Sequence, residues 1–69
     1  MKVSARNCLK GIVKKLVMGT VNAQVTLEIA PGIEIVSIIT RESVEQLNLA
    51  EDQEAYAVIQ SSNVTIAKQ

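Results

Sequence analysis

The sequence has no histidine, one cysteine (Cys8) and one aromatic residue (Tyr56). Each shortage removes a class of chemistry. Without histidine, no Ser–His or Cys–His pair can generate a nucleophile. The acids gather on a short helical stretch and an acidic loop, in no spacing that suggests a general acid–base pair, so the chain reads as a non-enzyme. One thiol and no imidazole give no zinc cage. A lone cysteine also gives no disulfide framework, which points to a reducing compartment, the cytoplasm. A single aromatic leaves no stacking platform for single-stranded nucleic acid. Gly11, Gly19 and Gly32 stand apart, so there is no glycine-rich phosphate loop. No apolar run is long enough to cross a bilayer, and the first residues lack the apolar core of a secretory leader.

Charge of one sign is lacking too. Seven basic and seven acidic side chains cancel, so no overall field draws nucleic acid or an acidic surface. The distribution is uneven, however. Lys2, Arg6, Lys10, Lys14 and Lys15 occupy a first quarter that holds no acid, whereas Glu42, Glu45, Glu51, Asp52 and Glu54 fall in the second half. An anion can therefore be drawn to the first segment of a neutral molecule.

What is present is aliphatic. Apolar residues make up 48% of 69 residues, carried by Val, Ile, Leu and Ala, which suit strand packing. A single domain of this size buries only roughly 60% of its unfolded surface. With neither disulfide nor metal to supplement the core, self-association is the expected remedy.

Periodicity sets the order of elements. A first strand runs roughly from Val3 to Leu16, with a parity change that predicts a bulge or bend near Gly11. "MGT" turns into "VNAQVTLEI", where Val21, Ala23, Val25, Leu27 and Ile29 alternate with polar residues. "APG" makes the next turn, with Gly32 accepting positive φ. "IEIVSIIT" is apolar on both faces, as in a strand covered on both sides. "TRESVEQLNL" reads as a short helix capped by Thr40, with Val44 and Leu47 three apart and Asn48 closing it. "EAYAVIQ" resumes strand alternation, "SSN" breaks it, and "VTIA" is a last strand. The predicted fold is all-β with one short helix. Three strands, a helix and two strands is the order of an OB-like five-stranded barrel; a small open sheet that pairs with another subunit has the same pattern.

The remaining candidates are polar donors at element ends. Ser4, Arg6 and Asn7 open the first strand, Thr40 and Ser43 flank the helix start, and Ser61, Ser62 and Asn63 precede the last strand. Together they offer a guanidinium, several hydroxyls and backbone N–H groups, with few carboxylates nearby. That is the donor set a tetrahedral oxyanion requires. Taken singly each has a plainer role: Thr40 as a helix cap, the serines as turn residues, Arg6 as a solvated strand end, Cys8 as a small inert side chain.

"SARNCLKG", "GTVNAQVTLEI", "SIITRESVEQLNL" and "VIQSSNVTIA", in this order, resemble the molybdate-binding Mop domain, also called the TOBE domain, in its free-standing form, the molbindins. The resemblance covers residues 1–69 as one domain. It implies an OB-like barrel assembled as a homohexamer, a trimer of dimers, that binds and stores molybdate, and tungstate with it, at subunit interfaces. It implies no other cofactor, no bare metal cation, no nucleic acid and no membrane. One kind of site would use Ser4, the backbone of Ala5, and Arg6, with Thr40 and Ser43 from a second subunit. A Lys–Ser pair completes that pattern in the family; this chain has Gln60 and Ser61. The other kind would lie near a symmetry axis and use Gly19, Val21, Asn22 and Ala23. The alternative is a protein-interaction module with an OB-like barrel and a weakened anion site.

Overall fold

The computed structural model describes residues 6–69. Strand β1 (Arg6–Met18), strand β2 (Asn22–Ala30), strand β3 (Ile33–Thr40), helix α1 (Arg41–Leu47) and strand β4 (Glu54–Gln60) follow in chain order. The strands form one antiparallel sheet in the order β3-β2-β1-β4. The sheet curls, and its two edge strands, β3 and β4, face each other across an apolar trough of about 650 Å³ lined by Leu27, Ile35, Ile39, Leu49, Ala57 and Ile59. The result is an OB-like half-barrel, mostly β with one short helix.

The core is small. It consists of Val13, Ala23, Val25, Leu27 and Val44, with Leu16, Ile29, Ile39, Leu49, Ala55 and Ala57 packed against it. The inward residues of β2 are those that the alternation marks, Ala23, Val25 and Leu27. Thr26, on the polar parity, is buried as well. β2 is a central strand, and Thr26 is flanked in register by Lys15 of β1 and Val36 of β3. On β4, Ala55, Ala57 and Ile59 turn inward while Tyr56 and Val58 turn out.

Three expectations are corrected. Gly11 sits in the regular ladder opposite Ala55; the register shift falls later, between Val13 and Lys15. Leu9, Gly11 and Val13 share one inward parity, and the extra residue at Lys14 lets Leu16 turn in after them. On the other side of β1, where the β1–β4 ladder ends at Ile12 and Glu54, the "AEDQE" loop continues the pairing. The Leu16 N–H donates to the Glu51 carboxylate at 3.2 Å. The Val13 N–H donates to the Gln53 carbonyl at 2.9 Å and its carbonyl accepts from Asp52 N–H at 2.8 Å. The acidic loop is thus a backbone partner of β1.

The second correction concerns "VTIA". Residues Ser61–Asn63 form a single 3₁₀ turn, and the chain after it joins no strand of the sheet. Val64 is 47% and Ile66 86% exposed; this apolar segment pairs with neither open edge of the sheet, and among the described residues four strands rather than five are paired. The third is Leu47, which is 66% exposed. In a helix of seven residues only Val44 reaches the core, and Leu49, just beyond the helix, packs where a second helical residue was expected.

The remaining punctuation follows the sequence. Gly32 has φ +75° in the β2–β3 turn. Thr40 caps α1, and Asn48, at φ 53° and ψ 42°, closes it in the left-handed conformation. Among the described residues no helix is long and apolar enough to cross a membrane.

Candidate functional site

The candidate donors fall into two groups, at opposite ends of β1. At its start, Arg6 stands opposite Gln60 in the β1–β4 ladder, and Ser61 follows Gln60 directly at the 3₁₀ turn. Directly paired residues on antiparallel strands project from the same face, so the register brings Arg6 and Gln60 side by side on an exposed edge. Ser4 and Ala5 lie outside the described residues. Among the described residues the ion pairs are Lys10–Glu54 at 3.8 Å, Lys14–Glu28 at 3.8 Å and Arg41–Glu45 at 3.4 Å. Arg6 belongs to none of them, whereas Lys10 and Lys14 each stand beside a carboxylate. The Asn7 amide reaches the Ile59 carbonyl at 3.4 Å and so joins β1 to β4.

The second group lies where β2 begins and β3 ends. Asn22 and Thr40 are register partners. The Thr40 hydroxyl accepts from the Ser43 N–H at 3.1 Å and donates to the Ser43 hydroxyl oxygen at 2.8 Å. That arrangement is a helix cap, but it leaves the Ser43 hydroxyl proton free to be offered outward, polarised by the bond it accepts. The Gly19–Asn22 turn lies alongside. Its Gly19 N–H donates to the Asn22 carbonyl at 2.8 Å. A Cβ at Gly19 would come within 2.7 Å of that same oxygen, so the turn closes this tightly only around glycine. Thr20, Val21 and Asn22 are exposed. Ala23 is buried in the core, so its backbone alone is available to a ligand.

Arg41 was not among the residues singled out in the sequence. Its N–H donates to the Val21 carbonyl at 2.7 Å and its Nη1 donates to the Gly19 carbonyl at 3.2 Å. The visible signal was slight: an arginine directly after a capping threonine, four residues before Glu45.

No single chain can close these groups into one shell. A strand rises about 3.3 Å per residue, and the other twelve residues of the thirteen-residue β1 separate Arg6 from the turn that follows Met18. Among the described residues no cluster of three or more His, Cys, Asp or Glu side chains could hold a metal ion. The donors present are hydroxyls, amides and a guanidinium, which suit an oxyanion rather than a cation.

The TOBE domain matches residues 3–66, nearly the whole chain. The chain belongs to the TOBE-domain family. Within it, the Mop-type proteins are its near relatives. It is 52% identical over 66 residues to molybdenum-pterin-binding protein 1 of Clostridium pasteurianum, covering 96% of this chain and 97% of that protein. The fold superposes on MopII of Clostridium pasteurianum with a TM-score of 0.88 at 49% identity, covering 97% of this chain and all of the other. It superposes equally, at TM-score 0.88 and 35% identity, on a molybdate-binding protein from Sporomusa ovata, covering 99% of this chain and 100% of that one. This TOBE-domain family binds ligands and is not catalytic.

Proposed function

We propose that this TOBE-domain protein binds molybdate in the cytoplasm, as a homo-oligomer whose subunits each supply part of the oxyanion shell. The observation that carries this reading is the division of the donors. Arg6, Gln60 and Ser61 gather at one end of the sheet and Thr40 and Ser43 at the other, while the Gly19–Asn22 turn beside Thr40 would form the second kind of site. A dianion buried without partners is very costly, and neither group alone offers enough donors to surround one. Two copies, with the start of β1 in one facing the β3–α1 junction in the other, supply complementary halves. Ser4 and Ala5 complete the first half in the sequence pattern.

The surface supports assembly. The chain exposes 5522 Å², against roughly 4,200 Å² for a folded monomer of its mass. Val36 and Ile38 lie exposed on one edge strand and Tyr56 and Val58 on the other, and the trough between the edges is apolar. A contiguous face of this kind marks an interface. The hexamer that the resemblance implies would cover it.

The anion itself, rather than a pterin carrying it, fits the residues: a planar ring calls for aromatic stacking, and the single aromatic, Tyr56, lies on β4 away from the α1 group. Fixed N–H and O–H donors select by size and geometry, so tungstate, nearly the same size as molybdate, binds too, and the smaller sulfate binds less well. Storage or buffering needs only many modest sites per particle. Isothermal titration with molybdate, tungstate, sulfate and phosphate tests the reading. It requires heat with the first two and much weaker binding of the others; no heat with molybdate or tungstate contradicts it.

A further inference from the structure

Carbonyl oxygens repel an oxyanion, so a backbone segment that binds one must turn its carbonyls away. The Gly19–Asn22 turn does this for three of its four carbonyls through contacts inside the chain. The Gly19 carbonyl accepts from Arg41 Nη1 at 3.2 Å, the Val21 carbonyl from Arg41 N–H at 2.7 Å, and the Asn22 carbonyl from Gly19 N–H at 2.8 Å. In a trans peptide the N–H points opposite to the carbonyl of the same plane. Fixing the Gly19 and Val21 carbonyls on Arg41 therefore sends the N–H groups of Thr20 and Asn22 to the other side of the turn. Both residues are exposed.

From this geometry we infer that Arg41 is the positioning residue of the turn site: it does not bind the anion but orients the backbone that does. The inference rests on the molybdate-binding reading given above. The guanidinium is held in turn by Glu45, whose carboxylate accepts from Arg41 Nε at 3.4 Å. That contact is solvent-exposed and contributes little by itself. The fork of the guanidinium matters more, because one nitrogen reaches the carbonyl while another keeps the side chain in place. A lysine has the charge without the fork.

Native mass spectrometry of the assembled protein with molybdate tests this, using Arg41→Lys, Arg6→Ala, the two combined, and Lys14→Ala. Amide exchange of the Gly19–Asn22 segment is followed in parallel. Arg41→Lys is expected to lower affinity for one class of bound anion by about tenfold, the usual effect of removing a group that orients a ligand-binding one. It should speed exchange in the turn and leave the β1–β4 amides protected. Arg6→Ala should remove the other class, so that the combined variant loses both; Lys14→Ala should bind as the wild type does. Full occupancy in Arg41→Lys overturns the inference, as does a combined variant no weaker than Arg6→Ala, or loss of both classes from Arg41→Lys alone. Wild-type protein that takes up no molybdate overturns the functional reading itself, and unchanged exchange in the Arg41→Lys turn overturns the positioning role whatever the wild type binds.

Discussion

Arg6 of β1 and Gln60 of β4 stand opposite each other in the antiparallel ladder, fifty-four positions apart in sequence and neighbours on one exposed edge. The pairing places the one cation of the "SARN" motif beside the position where the Mop pattern carries a lysine. On the proposed reading, an anion held there would have one charge-assisted partner fewer than in that pattern, and Arg6 would carry more of the attraction.

This relationship gives a pair of opposite expectations. Arg6→Ala should weaken molybdate binding by about 1.5–3 kcal/mol, the range for a hydrogen bond to a charged group. Lys14→Ala should change it by less than about 0.5 kcal/mol, because Lys14 stands 3.8 Å from the Glu28 carboxylate at the middle of β1. Gln60→Lys should strengthen binding by about 1 kcal/mol, since a charge-assisted bond is roughly twice as strong as a neutral one. Titration calorimetry measures all three; equal losses from Arg6→Ala and Lys14→Ala would remove Arg6 from the shell, and no gain from Gln60→Lys would remove Gln60.

Thr40 has two roles that can be separated. Its hydroxyl caps α1 and orients Ser43. Thr40→Ala should cost about 1 kcal/mol of stability through the lost cap and weaken anion binding as well. Thr40→Ser keeps the hydroxyl and should retain both, whereas Ser43→Ala should weaken binding with little loss of stability. Thermal unfolding without ligand, set beside calorimetry with it, reads the two effects apart. Ser43→Ala with wild-type affinity would reduce Thr40 and Ser43 to a plain helix cap.

The outer face of β3 should be an interface. Ile38 is 61% exposed, so Ile38→Glu removes little from the fold of one chain. Buried against a second copy, the same carboxylate would be unpaired and costly. Sedimentation velocity should show Ile38→Glu dissociating at concentrations where the wild type stays assembled. An unchanged assembly would place the contact elsewhere.

Much of the fold was legible because local signals agreed with the tertiary structure. The alternation of β2, the Pro31–Gly32 turn, the Thr40 cap and the Asn48 stop are each set by near neighbours in sequence. The candidate donors were legible as a set, but not their grouping, since the Arg6–Gln60 and Asn22–Thr40 pairings are long-range. The bulge at Lys14 was misplaced to Gly11 for a related reason. Beside it the acidic loop runs along β1 and the Glu51 carboxylate accepts the Leu16 N–H, a contact thirty-five residues away in sequence. "VTIA" has strand composition but joins no strand among the described residues, and composition cannot say which edge, in which chain, a strand will pair with. Arg41 escaped notice because its role runs through backbone carbonyls, which leave no residue pattern.

The central claim is that the oxyanion shell is shared between copies. Subunit mixing tests it most directly. Arg6→Ala and the double variant Thr40→Ala, Ser43→Ala each lack one half of the interface shell, and each alone should bind little molybdate there. Unfolded together and refolded as a mixed assembly, they should recover part of the wild-type interface binding, because some interfaces then join an intact Arg6 half to an intact Thr40–Ser43 half. Mixed assemblies that bind no more molybdate than either variant alone would contradict the shared shell.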